Sequence, residues 1–195
     1  MTQVRWRRYR WDLELPAGKL GDKVRGGTPY EVELLADIAA ERPVGAAFDV
    51  GAYFGNHAAF LAVVCGLRVH AFEADPERAE LLRRNVERLG VTVHDWAVGA
   101  GGKAHWVKGQ RLAAGGDVSV YAIDQVLDVA GLAVVKLDIE GMERQAIGGM
   151  WNHLERDRPL VYVEAHEGDP GQDLKQLGYV KEGRLEGRMD KWACR

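Results

Sequence analysis

The chain has 195 residues, 47% of them hydrophobic, enough for one sizeable core and too few for a comfortable second, so residues 1–195 read as a single domain. A formal net charge of -3 removes any global field toward nucleic acid or an anionic membrane. The two cysteines, Cys65 and Cys194, fit no CxxC or zinc spacing, and the longest apolar run is too short to cross a bilayer, so a reduced, cytoplasmic protein is expected.

Residues 1–27 form an arm ahead of the core. In VRWRRYRWDLEL, Tyr9, Trp11, Leu13 and Leu15 alternate with Arg8, Arg10, Asp12 and Glu14, the period of a half-buried strand. The arginines also suit a basic, aromatic arm for a polyanionic substrate, but the alternation favours a strand with a solvated charged face. Such an arm could cover the site of its own chain or of a second copy, which leaves a homo-oligomer open. KLGDKVRGGTP reads as a glycine-rich loop. In TPYE, Thr28 is expected as N-cap, Pro29 as the first helical residue and Glu31 as the partner in a capping box. The helix that follows places Val32, Leu35, Ile38 and Ala39 on one face and ends near Arg42.

Strands and helices then alternate. GAAFDV is a strand, NHAAFLAVVC a helix stopped at Gly66, and LRVHAFE a second strand. DPERAELLRRNVERLG is a helix with Asp75 as N-cap, Pro76 at its first position and Gly90 past its end. VTVHDWAVG is a third strand, AHWVKG and DVSVYAI are short extended pieces, IDQVLDVAG is a short helix and LAVVKLDIE a fourth strand. Met142, Ala146, Ile147, Met150 and Leu154 share the face of the next helix. PLVYVEAHE gives a fifth strand, GQDLKQLG a helix, and the tail a closing antiparallel hairpin. This order predicts an α/β fold with a mostly parallel sheet covered on both faces, whose ligands bind beyond the carboxyl ends of the strands.

The turn FDVGAYFGNHAAF lies at such an end. Gly51 and Gly55 let the backbone bend and approach a ligand, and the helix beyond offers free N–H groups. Glu73 ends the second strand, close to the roughly 20-residue spacing of an acid that accepts both hydroxyls of a ribose. A nicotinamide dehydrogenase would carry G-x-G-x-x-G here, and the short-chain type a Tyr-x-x-x-Lys pair; neither is present. Asp49, two residues before the first glycine, suits a cofactor with an amino group and a sulfonium, such as S-adenosylmethionine.

Taken in order, PYE, FDVGAYFGNHAAF, HAFEADPE, WAVG, VVKLDIEGMERQAIGG, VYVEAH and LKQLGYV resemble the FkbM-type family of S-adenosylmethionine-dependent methyltransferases over nearly the whole chain. The most distinctive segment is KLDIEGMER, where family members show Lys-x-Asp-x-Glu-Gly-x-Glu. The resemblance implies the class I methyltransferase fold, a Rossmann-like three-layer sandwich whose seven-stranded sheet is mostly parallel with an antiparallel last strand. It also implies O-methylation of a hydroxyl on a sugar or other small molecule. Carried over, it makes Asp49, Gly51, Ala52, Tyr53, Gly55 and Asn56 the cofactor loop, with Glu73 the ribose acid and Ala74 beside it. It sets Asp95, Trp96 and Ala97 next to the adenine and Asp138 at the methyl end. The chain departs from the family at Tyr53, where Asn or Ser is usual, and at His57, where an aromatic is common.

In the fourth strand, Lys136, Asp138 and Glu140 share a parity, as do Glu164 and His166 in the fifth, so Asp138, Glu164 and His166 are the candidate catalytic groups. Either His166 or Asp138 takes the acceptor proton directly, or all three hold a divalent metal such as magnesium; the metal-free route is favoured. The simplest alternative for each neighbour is structural. Lys136 would be an ion-pair partner, Glu140 and Glu143 would charge the next helix, Glu164 would pair with an arginine, Trp96 would pack, and His57 would be a surface residue. Nucleic acid is disfavoured as an acceptor, because the [D/N/S]-P-P-[Y/F/W] and Pro-Cys motifs are absent. A ribose-directed enzyme remains an alternative through the partial match of Lys136, Asp138 and Glu164 to a Lys-Asp-Lys-Glu set, and a non-catalytic cofactor-binding scaffold is another.

Overall fold

The computed structural model describes residues 1–107, 111–114, 116–164, 170–185 and 188–194. The chain begins with a ribbon of two antiparallel strands, β1 (Thr2–Trp6) and β2 (Tyr9–Leu13), where the alternation suggested a single strand. The sequence carries the reason. Apolar residues are even-numbered at Val4 and Trp6 and odd-numbered from Tyr9 onward, and the parity changes across the turn at Arg7, whose φ is 49°. Val4, Trp11 and Leu13 are buried, and Trp6 and Trp11 set their rings edge-on against Phe60.

The expected glycine-rich loop contains a helix, α1 (Lys19–Val24). A Cβ on Gly21 would lie 1.9 Å from the carbonyl oxygen of Pro16, so this glycine permits close packing rather than marking a loop. The helix α2 (Val32–Glu41) also differs from expectation. Its N-cap is Glu31, in the left-handed region at φ 56° and ψ 56° with no side-chain cap bond, so the Thr28 capping box does not form. Its buried residues are Leu34, Leu35 and Ile38, while Val32 is exposed.

The core follows the predicted alternation: β3 (Ala46–Val50), α3 (Asn56–Val63), β4 (Arg68–Phe72), α4 (Pro76–Val86) and β5 (Thr92–His94). The Asp75 carboxylate accepts from the N–H groups of Glu77 and Arg78, capping α4 as its sequence predicts. The expected third strand divides. β5 stays in the main sheet, whereas β6 (Ala97–Val98) leaves it to join β7 (Gly102–Val107), β8 (Arg111–Ala114) and β9 (Val118–Tyr121) in a second sheet ordered β6-β9-β7-β8. Then come α5 (Ile123–Val126), β10 (Leu132–Leu137), α6 (Glu143–Gly149), α7 (Trp151–Asp157), β11 (Leu160–Glu164), α8 (Gly171–Gln176), β12 (Tyr179–Arg184) and β13 (Met189–Cys194). The helix expected after β10 is broken at Met150, yet all five apolar residues of its predicted face are buried.

The main sheet has the order β12-β13-β11-β10-β3-β4-β5, with β13, the last strand in the chain, inserted antiparallel between β11 and β12. This is the class I methyltransferase fold. Its two faces carry separate apolar clusters. Leu35, Phe60 and Leu82 pack with Ala47 and Val134 on one side; Ile147, Leu154 and Leu174 pack with Phe48 and Val135 on the other. Strand parity therefore sends Asp49 and Lys136 toward the α3 side.

Both cysteines are free thiols, and no helix among the described residues is long and apolar enough to cross a membrane.

Candidate functional site

A cleft of about 280 Å³ opens at the carboxyl ends of β3, β4 and β10, where an α/β sheet of this order binds its ligands. Among the residues assigned from sequence, Gly51, Tyr53, Glu73, Ala74, Trp96, Ala97 and Asp138 line it.

Gly51 is there because nothing larger fits. It has φ 82°, and a Cβ would stand 1.9 Å from the carbonyl oxygen of Asp138, so the ends of β3 and β10 meet only over a glycine. Its N–H and that of Ala52 both donate to the Phe72 carbonyl at 3.0 Å, which ties the loop to the end of β4. Gly55 serves packing instead: a Cβ there would lie 2.6 Å from Val86 and 2.9 Å from Leu82 of α4.

Glu73 is buried and fixed from both sides. One carboxylate oxygen accepts the N–H of Tyr53 at 2.9 Å and the other the N–H of Asp75 at 2.9 Å. Burial raises its pKa and these backbone bonds oppose the rise. Each oxygen keeps a lone pair for an incoming hydroxyl. Tyr53, at φ 50°, lies under the Arg78 guanidinium, 4.9 Å from its ring centroid. The far wall is aromatic: Trp96 stands edge-on to Phe72 at 5.0 Å and to Tyr121 at 5.3 Å.

Five residues assigned to the cofactor stand outside the cleft lining. Asp95 turns away, its carboxylate 2.7 Å from Arg83. Ala52 and Gly55 are buried behind the loop, and Asn56 spends its side chain on Tyr30, accepting its N–H at 2.9 Å and donating to its carbonyl at 3.1 Å. Asp49 is fully buried, and among the described residues neither of its oxygens has a hydrogen-bond partner.

Behind the cleft floor lies a polar cluster. The Lys136 ammonium is 3.6 Å from Asp49 and 3.3 Å from Asp138, and it donates to the Gly51 carbonyl at 3.3 Å. Burial alone would lower its pKa, but Asp138, Asp49 and Glu31 outweigh burial and hold it charged. Asp138 sits just past the end of β10 and Glu164 ends β11, so the neighbouring strands bring the two carboxyls into hydrogen-bond contact. Burial raises Asp138, and Lys136 more than reverses it, keeping Asp138 ionised. Glu164 is pushed up to about 8 by burial and then by Asp138, so the pair shares one proton near neutrality. Glu164 is thus paired with a carboxyl, where an arginine was the expected structural partner.

His166 lies outside the described residues. Among the described residues no group of three or more His, Cys, Asp and Glu is placed to hold a metal. Glu143 accepts the Gly141 N–H with both oxygens, at 2.9 and 3.0 Å, at the start of α6. His57 is a correction: it is buried, with its Nε2 2.9 Å from Glu31.

Leu20 of α1, Arg78, Glu140 and Met142 also line the cleft and were not assigned from sequence, and neither were Tyr30 and Glu31 beside it. The signal available for the last two was PYE, which the capping reading absorbed.

Comparison with known proteins decides the family. The pattern of the Methyltransferase FkbM domain matches residues 49–185. The chain belongs to the FkbM methyltransferase family. A hexuronic acid methyltransferase, AglP, from Haloferax volcanii is 27% identical over 177 residues, covering 82% of this chain and 70% of that protein. Among solved structures, methyltransferase FkbM from Methylobacillus flagellatus aligns with a TM-score of 0.56 and 23% identity. The alignment covers 76% of this chain and 42% of that one, so this FkbM chain spans under half the length of that relative. A mutant of MtNAS in complex with S-adenosylmethionine aligns with a TM-score of 0.53 and 18% identity, over 83% of this chain and 61% of that one. At these identities the two structures speak for the fold alone.

Proposed function

We propose that this FkbM protein transfers a methyl group from S-adenosylmethionine to a hydroxyl of a sugar or related small molecule. The observation that carries the reading is Glu73, a buried carboxylate at the end of β4 whose two oxygens are aimed by backbone N–H groups while keeping lone pairs free beside an aromatic wall. Such a group accepts the two hydroxyls of a ribose, and Trp96 and Ala97 flank the base. The cofactor, when bound, supplies the activated methyl. Asp138 in the cleft lining, with Glu164 hydrogen-bonded to it, takes the hydroxyl proton as the acceptor oxygen attacks, with His166 as the other candidate for that proton. The sugar class is supported by the hexuronic acid methyltransferase relative.

The test is calorimetric titration of S-adenosylmethionine and S-adenosylhomocysteine into wild type and Glu73→Ala, with and without magnesium, followed by methyl release to a panel of hydroxylated sugars. Binding that falls roughly 10- to 100-fold in Glu73→Ala, the size of lost hydrogen bonds to a charged group, supports the reading. A magnesium requirement would move Asp138 and Glu164 to metal ligands. Absence of binding by either nucleoside would overturn the assignment and leave a scaffold.

A further inference from the structure

Glu31 stands at a junction that the proton chemistry above does not use. Its backbone is left-handed at φ 56°, a conformation a non-glycine residue holds only when its surroundings impose it. Here the imposing group is Asn56 of α3, which takes both the N–H and the carbonyl of the preceding Tyr30. The clamp turns the Glu31 side chain inward, where the residue is 7% exposed and Oε2 lies 2.9 Å from His57 Nε2. Among the described residues neither atom completes a hydrogen bond, so the contact is an ion-pair approach alone.

Glu31 also feels the Lys136 ammonium, around which Asp49 and Asp138 already stand at 3.6 and 3.3 Å. Three carboxylates therefore face one lysine, with Glu164 hydrogen-bonded to Asp138 as a fourth carboxyl. Among the described residues the carboxylates of this cluster outnumber the basic side chains beside them, Lys136 and His57. Asp49 gives an independent sign that something is missing. It is 0% exposed, and among the described residues neither of its oxygens has a hydrogen-bond donor. Unbalanced charge out of water is costly, and the cleft opens immediately beside this cluster at Gly51 and Asp138.

We propose that Glu31 helps hold the methyl donor by charge: beside the cleft, with Asp49 behind its floor and Asp138 in its lining, it makes the inner end select a positively charged occupant, favouring the sulfonium donor over its neutral thioether product. The inference rests on the cofactor reading above. S-adenosylmethionine and S-adenosylhomocysteine differ by one methyl group and one positive charge, so their affinity ratio isolates the effect. A pocket of this kind releases product as the charge disappears.

The experiment measures both affinities by calorimetry at low salt in wild type and in the isosteric Glu31→Gln, with thermal melting to show that the variant is folded. Wild type is expected to bind S-adenosylmethionine more tightly than S-adenosylhomocysteine. Glu31→Gln is expected to weaken the donor roughly 10-fold, the size of one charge acting several Å away in a partly wet site, and the product by less than about 2-fold. Equal loss for both ligands, or no loss, overturns the proposal. Wild type alone also decides, whether or not the variant folds, because equal or tighter binding of the thioether overturns it. A ratio that fails to move while both ligands bind defeats only the role of Glu31. Binding of neither ligand defeats the cofactor reading as well.

Discussion

On the β4–β5 side of the cleft, Glu73 is the one buried carboxylate among the described residues, and both of its oxygens are held by backbone N–H groups two residues or one loop away. On the β3–β10–β11 side, Asp49, Asp138, Glu164 and Glu31 crowd around a single buried ammonium, brought together from three strands and the start of α2. The first wall is built from local backbone geometry and tolerates the loss of a side chain. The second is built from mutual charge, and Lys136, Asp138 and Glu164 set one another's protonation. Changes on the two walls should therefore fail in different ways.

The largest expected effect is on the charged wall. Lys136→Met keeps roughly the length of the side chain and removes the ammonium from this cluster, leaving Asp49 buried, and Asp138 half-buried, without their lysine counter-charge. We expect a loss of about 3–5 kcal/mol, read by urea unfolding, because breaking a buried pair leaves an uncompensated charge. The deficit should shrink as pH falls, since the orphaned carboxylates then take up protons. A deficit below about 1 kcal/mol would mean that the cluster is open to water and that the two walls are alike.

The same contrast explains what the sequence disclosed. Glu73, Gly51 and the Asp75 cap were legible because each acts within one element or at a fixed spacing from it. Asp138 and Glu164 were legible as strand-end residues of the right parity, although their sharing of a proton was not. Glu31 and His57 were misread, one as a capping residue and the other as a surface group. Their burial depends on a clamp from Asn56, 26 residues from Tyr30, that no local pattern reports. The helix α1 was hidden in a glycine-rich stretch of which Gly21 serves packing against Pro16, and the ribbon by a change of parity at Arg7 that a single-strand reading passed over.

A second test acts on the Asp138–Glu164 contact. Glu164 titrates near 8 in the fold against an ordinary value near 4.3, so the folded state binds the extra proton between those limits. Its contribution is fully present below about pH 4.3 and is lost as pH rises toward 8. Glu164→Gln removes the titration, so the stability of wild type relative to the variant should fall across that window. In the same window the kcat/KM of wild type for a sugar acceptor should rise with pH as the pair loses its shared proton, and the variant should lose that rise. A parallel pair of stability curves would place Glu164 in ordinary solvent contact and remove it from the charged wall.

The smallest effect is expected on the β4–β5 side, behind Glu73. There His94 stacks on Phe72 at 4.6 Å and on His70 at 5.3 Å, with its Nε2 3.1 Å from the Nδ1 of His70. Burial first, and His70 second, push His94 down to about 4, against the weaker opposing pull of Asp95. The sign is opposite to that of Glu164. The folded state refuses a proton that the unfolded chain accepts near 6.5, so stability is present above that value and lost as pH falls toward 4. His94→Phe should cost about 1 kcal/mol at pH 7, because His70 loses its ring partner, and the gap should close or reverse near pH 4.5. The stacked rings carry this wall without a charge. If His94→Phe instead removed cofactor binding at pH 7 while leaving the melting temperature unchanged, the aromatic wall would depend on the imidazole itself, and the contrast between a geometric wall and an electrostatic one would have to be redrawn.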